Sequence, residues 1–360
     1  MNRPEPAAAE VLIDRRGRLG HITLNRPRAI NALTVGMVAD IQTALDEWEA
    51  DPAIQTVLIT GAGDRGLCAG GDIVSLYRDA RDGDGAASAR FWRDEYRLNA
   101  HIARYPKPYV AIMDGTVLGG GVGVSAHGSH RIVTERTAVG MPETSIGFVP
   151  DVGGAWLLTR APGELGLYLA LTARPVGAGD AIALGLADSC VPSERLPTLI
   201  AALESTPAAE AIAAVATPAP QSPLLAERPW IDAAFSAHTV TEISARLRAS
   251  PEPAAQQAAD ALAEKSPTAL AVTLEALRRA RQAHALEDVL RQDYRVSLRS
   301  LAAADFAEGV RAQVIDKDRR PRWRPAELSS VTDADVAAYF APLGDAELTL
   351  TARHPTPPNV

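Results

Sequence analysis

Asp114-Gly-Thr-Val-Leu-Gly-Gly-Gly-Val-Gly123 follows the apolar run Tyr-Val-Ala-Ile-Met at residues 109–113, and its reading decides the fold. Five apolar residues bounded by Asp-Gly read as a buried strand. The glycines after it let backbone N–H groups approach a ligand closely. They also open a predicted helix start, where unpaired N–H groups and the positive end of the dipole favour developing negative charge. Upstream, Gly61-Ala-Gly-Asp-Arg-Gly-Leu-Cys-Ala-Gly-Gly-Asp72 repeats the arrangement, between a strand at residues 56–60 and a helical stretch at 73–79. Two such loops can aim one N–H each at a single oxygen. A third stretch, Met141-Pro-Glu-Thr-Ser-Ile-Gly-Phe-Val-Pro-Asp-Val-Gly-Gly154, places two carboxylates, Glu143 and Asp151, in a segment too apolar for a solvated loop. Each acid follows a proline, which restricts the backbone before it.

Working outward, short β-branched runs at residues 11–14 and 20–24 add two strands. Residues 34–49 place Met37, Ile41, Ala44, Leu45 and Trp48 on one face at helical spacing, with Thr34 as N-cap. The first two hundred residues therefore form an α/β core, residues 1–200. Residues 201–253 turn rich in Ala and Pro and read as a connector with short helices. Amphipathic patterns at 254–264, 267–282, 286–301 and 307–314 make residues 254–344 a C-terminal helical region. Residues 345–360, ending His-Pro-Thr-Pro-Pro-Asn-Val, have little apolar content and read as a flexible tail.

Composition excludes several classes of function. Of 360 residues 47% are hydrophobic, enough for a substantial core, and the net charge of −8 is spread along the chain, leaving no cationic face for nucleic acid. Two distant cysteines, Cys68 and Cys190, with no clustered histidines suggest neither disulfides nor a zinc site and fit a reducing compartment. The first ten residues lack a signal peptide's apolar run, and no window holds a membrane span. We therefore expect a cytoplasmic protein that engages neither membrane nor nucleic acid.

Gly121-Val-Gly-Val-Ser-Ala126 also satisfies a dinucleotide-binding fingerprint, but the next apolar run at 130–134 begins too soon for a crossover helix, and no acid follows at the right distance. Cys68 has no evident base and suits a packed turn. Ser125 and His127, two apart on a helix, face different ways, so His127 reads as structural. The basic run Lys317-Asp-Arg-Arg-Pro-Arg-Trp-Arg324 reads as a solvated face, with contact to ligand phosphates as the alternative.

Leu24-Asn-Arg-Pro-Arg-Ala-Ile-Asn-Ala-Leu33, the Cys-Ala-Gly-Gly-Asp72 loop and the Gly-Gly-Gly-Val-Gly123 loop resemble, in order, the signatures of the crotonase (enoyl-CoA hydratase/isomerase) superfamily. That resemblance implies a spiral of ββα turns followed by helices, an acyl-CoA substrate, possible homo-oligomers, and no cofactor beyond the coenzyme A of the substrate. It also implies that Gly71 and Gly120 supply the oxyanion-hole N–H groups. Hydratases carry a Glu where this chain has Gly123, so one of their two acids is missing; Gly123→Glu is expected to introduce weak hydration of a short enoyl-CoA while crowding the site. The 141–154 segment is instead similar to that of the 3-hydroxyisobutyryl-CoA hydrolase branch. So are Phe91-Trp-Arg-Asp-Glu-Tyr96, Lys265-Ser-Pro-Thr268, Asp305-Phe-Ala-Glu-Gly-Val-Arg311 and the stretch from Ile315 to Trp323.

That branch implies thioester hydrolysis in valine degradation. Glu143 would be nucleophile or general base, Asp151 the hydroxyl-binding acid–base group, and Glu95 a contact to the short hydroxyacyl group. A hydratase or isomerase of the same fold and a non-catalytic acyl-CoA binder are the alternatives.

Overall fold

In a computed structural model of the chain, residues 9–350 are described. Six strands form one sheet in the order β1 (Val11–Arg16), β2 (Leu19–Leu24), β3 (Thr56–Gly61), β4 (Tyr109–Met113), β6 (His130–Val133), β8 (Ser189–Cys190). Only β1–β2 is antiparallel. Two further strands, β5 (Thr116–Leu118) and β7 (Ala138–Gly140), pair in parallel in a second layer. Single bridges extend that layer, Cys68 to Val117 on one side and Val139 to Val176 on the other. Each turn of chain thus leaves one strand in the first layer and the next in the second, a spiral of the crotonase type.

Strand alternation explains how the central strands β2, β3 and β4 are buried on both faces, while the edge strand β1 is largely exposed. In β4, Tyr109, Ala111 and Met113 enter the main core, while Val110 and Ile112 enter a second cluster under the helices Leu196–Leu203 and Ala208–Val215. The first helix, α1 (Val35–Ala50), buries the predicted face, and the Thr34 hydroxyl accepts from the Met37 N–H at 3.2 Å. Among the described residues no helix is long and apolar enough to cross a membrane.

Two expectations about organisation change. The 201–253 stretch is not a divider between separate cores, because Leu224, Ile231, Phe235, Ile243 and Leu247 share one cluster with the sheet's inner face and with Leu290 and Phe306. Residues 345–350, assigned to a flexible tail, are packed. Leu348 and Leu350 are buried in the main core, and Glu347 pairs with Arg295 at 2.9 Å. Two alternating leucines suffice to seat this short segment, although its average composition is polar. Residues 351–360 lie outside the described residues.

Candidate active site

Strand β5 ends at Leu118, and Gly119 turns the chain with φ +50°, a left-handed conformation that favours glycine. The helix that follows, Gly120–Gly123, has four residues, so its macrodipole is far weaker than the sequence suggested. What remains is close approach. A β-carbon on Gly120 would lie 2.6 Å from Glu95 Oε1 and 3.2 Å from the Gly71 nitrogen; one on Gly119 would lie 2.7 Å from Glu143 Oε1. Both glycine loops and two acids therefore meet at one point. Among the described residues neither the Gly71 nor the Gly120 N–H has an acceptor. They open on a cavity of about 310 Å³, walled by Phe91, Trp92, Phe148 and Ile146.

Glu95, Glu143 and Asp151 all line this cavity, at 2%, 6% and 5% exposure, and no Lys, Arg or His does. Glu95 comes from the helix Ala86–Ala103, Glu143 opens the turn Glu143–Ile146 after Pro142, and Asp151 follows Pro150. Glu95 Oε1 and Glu143 Oε2 are buried with no partner, whereas Asp151 Oδ2 accepts from the Tyr96 O–H at 2.7 Å. Burial drives the Glu95 and Glu143 pKa well up, and the charge of Asp151 pushes both further. Burial also raises Asp151 to about 7, against the pull of the Tyr96 hydrogen bond. Three acids around one cavity with no cation cannot all ionise, so they share protons and titrate as a set.

The segment behind Asp151 is strained and clamped. Val152, β-branched, has φ +50°. Its carbonyl accepts from His127 Nε2–H at 2.7 Å, and the Gly153 N–H donates to Asp293 Oδ2 at 2.9 Å. His127 is thus structural, as its spacing implied, and its pKa falls to about 4 through burial. Asp293 and Ser297 were not read as site residues from sequence. The signal was present: residues 286, 289, 290, 293, 294, 297 and 301 trace the buried face of Leu286–Ala302, and polar residues at 293 and 297 interrupt it.

Cys68 and Ser125 fall away as candidates. Cys68 is fully buried, its thiol is pushed up to about 12 by desolvation, and its sulfur contacts the Gly70 nitrogen. Ser125 Oγ donates to the Gly121 carbonyl at 2.6 Å. Gly121 serves packing: a β-carbon there would lie 2.5 Å from the Cys68 carbonyl oxygen. Within the basic run, Lys317, Arg319, Arg320, Arg322 and Arg324 are exposed, and Trp323 Nε1–H anchors the segment on the Glu264 carbonyl.

Position 123 lies outside the cavity lining. A β-carbon there would sit 2.8 Å from both Asn99 Nδ2 and Val152 Cβ. Gly123→Glu is therefore expected to cost stability rather than add hydration, by at least about 2 kcal/mol, since overpacking alone costs 1–3 kcal/mol. It would also displace the strained residue beside Asp151. A thermal midpoint equal to that of the unaltered protein would contradict this.

Comparison with known proteins agrees with the fold. The family model described as enoyl-CoA hydratase/isomerase matches residues 19–340. The mitochondrial 3-hydroxyisobutyryl-CoA hydrolase of Rattus norvegicus is 42% identical over 94% of this chain and 91% of its own length. The Homo sapiens protein of that name is 40% identical over 97% and 92%. Among solved structures, one described as a carnitinyl-CoA dehydratase from Mycobacterium thermoresistibile is 55% identical with TM-score 0.92, covering 94% of this chain and 98% of its own. One described as an enoyl-CoA hydratase from Rhodobacter sphaeroides is 46% identical with TM-score 0.90, covering 95% and 100%. The two solved structures share the fold of this chain, but the reactions in the names of these relatives differ.

Proposed function

The chain belongs to the enoyl-CoA hydratase/isomerase family, and from that premise we propose that it hydrolyses a short 3-hydroxyacyl-CoA thioester, with 3-hydroxyisobutyryl-CoA as preferred substrate, in valine degradation. One observation carries the reading. Glu143 and Asp151 face two acceptor-free N–H groups, while the second acid a hydratase uses is replaced by Gly123, pressed against Asn99 and Val152.

The thioester carbonyl oxygen sits between the Gly71 and Gly120 N–H groups, where a preorganised donor contributes about 3 kcal/mol as the oxygen gains charge. Glu143 attacks the carbonyl carbon as a carboxylate, giving an anhydride that water then opens, or removes a proton from the attacking water. The C–S bond breaks and the thiolate leaves with a proton. Asp151, poised near neutrality, moves that proton and accepts the substrate hydroxyl. Glu95, held protonated beside the oxyanion hole, donates to the hydroxyacyl group; an ionised Glu95 would oppose the growing charge. The chemistry requires no metal or redox cofactor. A cytoplasmic location belongs to the same proposal; the curated relatives are named as mitochondrial.

The names of the two solved structures favour a lyase as the second reading. Free-thiol release from 3-hydroxyisobutyryl-CoA supports hydrolysis, and efficient loss of enoyl absorbance from crotonyl-CoA without thiol release overturns it. Binding without turnover on any hydroxyacyl-CoA would leave an acyl-CoA-binding protein. Asp151→Asn is expected to lose most of the preference for 3-hydroxyisobutyryl-CoA over isobutyryl-CoA, by roughly 1.5–3 kcal/mol, the contribution of one hydrogen bond to a charged group. An equal loss on both substrates would remove the hydroxyl-binding role.

A further inference from the structure

Asp151 is held from a region of the chain remote in sequence. Its Oδ2 accepts from Tyr96 O–H at 2.7 Å, and the Tyr96 oxygen lies 2.7 Å from Ser297 Oγ. A phenol has one proton, and here it points to the carboxylate, so the serine hydroxyl donates to the phenol oxygen. The line therefore runs from Ser297 to Tyr96 to Asp151, and both hydroxyl-bearing residues are fully buried. The Tyr96 ring packs edge-on against Tyr294 at 6.4 Å, which fixes its direction.

We propose that Tyr96 and Ser297 are positioning residues for the reaction: a two-hydroxyl relay from the helix Leu286–Ala302 that fixes Oδ2 of Asp151 and leaves its other oxygen to the substrate. The proposal rests on Asp151 as the acid–base and hydroxyl-binding group. A carboxylate with both oxygens taken by buried side-chain donors would be a poor proton acceptor; with only Oδ2 so taken, the second oxygen stays basic. The His127 and Asp293 clamps hold the backbone of the two residues that follow, Val152 and Gly153, so the Asp151 side chain and the main chain next to it are held independently.

The groups around Asp151 sharpen the test. Glu95 and Tyr96 face it from Ala86–Ala103, Glu143 from the turn, and Asp293 from Leu286–Ala302. All are acidic. Tyr96, whose own ionisation is driven far up by burial, is the group that stabilises the Asp151 anion by donating to it.

Tyr96→Phe, Ser297→Ala and Ser297→Thr are compared with the unaltered protein by thiol release from 3-hydroxyisobutyryl-CoA across pH. In Tyr96→Phe the limb of the pH–rate profile that Asp151→Asn abolishes should move up by about one pH unit, with kcat near neutrality down about tenfold. Ser297→Ala should move the limb in the same direction by less, and Ser297→Thr should restore it. A merely structural role lowers the thermal midpoint and leaves the limb in place, and that result overturns the inference. If Tyr96→Phe does not fold, the Ser297 pair decides.

A second readout needs no turnover. The infrared band of the Asp151 carboxyl, identified by its loss in Asp151→Asn, should titrate at higher pH in Tyr96→Phe. An unchanged titration overturns the relay whatever the substrate. Absence of thiol release from the unaltered protein, with the band still shifted, overturns the hydrolase reading and leaves the relay standing.

Discussion

Glu143→Gln is expected to lower thiol release from 3-hydroxyisobutyryl-CoA a hundredfold or more while leaving ligand affinity largely intact. The amide keeps the shape of the side chain but can neither attack a carbonyl nor take a proton, and loss of a general base typically costs 10²-fold or more. A variant retaining more than about a tenth of the activity would remove Glu143 from the reaction. Stability should move the other way. Burial raises the pKa of this carboxyl in the folded chain, so it carries no penalty below its ordinary value of 4.5 and a growing one as pH rises above it. Melting curves of the variant and the unaltered protein should coincide near pH 4. By pH 8 the variant should melt higher than the unaltered protein. A lower midpoint at pH 8 would mean that Glu143 has a buried partner in the folded state.

Gly120→Ala is expected to cost 10²–10³ in kcat with the fold intact. The added methyl would sit 3.2 Å from the Gly71 nitrogen, over the place an oxyanion must occupy, and 2.6 Å from Glu95 Oε1. Glu95 can swing aside, because it is the end of a flexible side chain. The Gly71 N–H cannot, and losing one oxyanion donor costs that range in rate. Activity within threefold of the unaltered protein would place the oxyanion elsewhere. Because Gly120 does not hold a left-handed conformation, backbone strain would not account for the loss, and an unchanged thermal midpoint confirms that reading.

Legibility in the sequence followed the range of the interactions. The strand at 109–113 was readable because both its faces are buried, leaving an unbroken apolar run. The helix after residue 34 was readable because its cap and its buried stripe are local. Glu143 and Asp151 drew notice because their stretch is too apolar for a solvated loop, whereas Gly71 and Gly120 were picked out of their glycine loops through the resemblance. Glu95 was named through the resemblance alone; the structure brings it to the same cavity.

Asp293 and Ser297 were missed because their partners are 140 and 201 residues away, and spacing carries no such information. The tail failed for a related reason: composition averaged over sixteen residues hides two leucines that find a distant core. Gly123 was read by its family position, but only packing reveals that Asn99 and Val152 leave no room for an acid.

The clamp on Asp151 from Leu286–Ala302 also has a consequence for the order in which the protein is made. A ribosome that has delivered the first 285 residues has already produced both glycine loops and all three cavity acids. Yet Gly153 is still without its Asp293 hook and Tyr96 without its serine. The emerging chain can carry all three cavity acids and still have Asp151 unfixed until Leu286–Ala302 has followed.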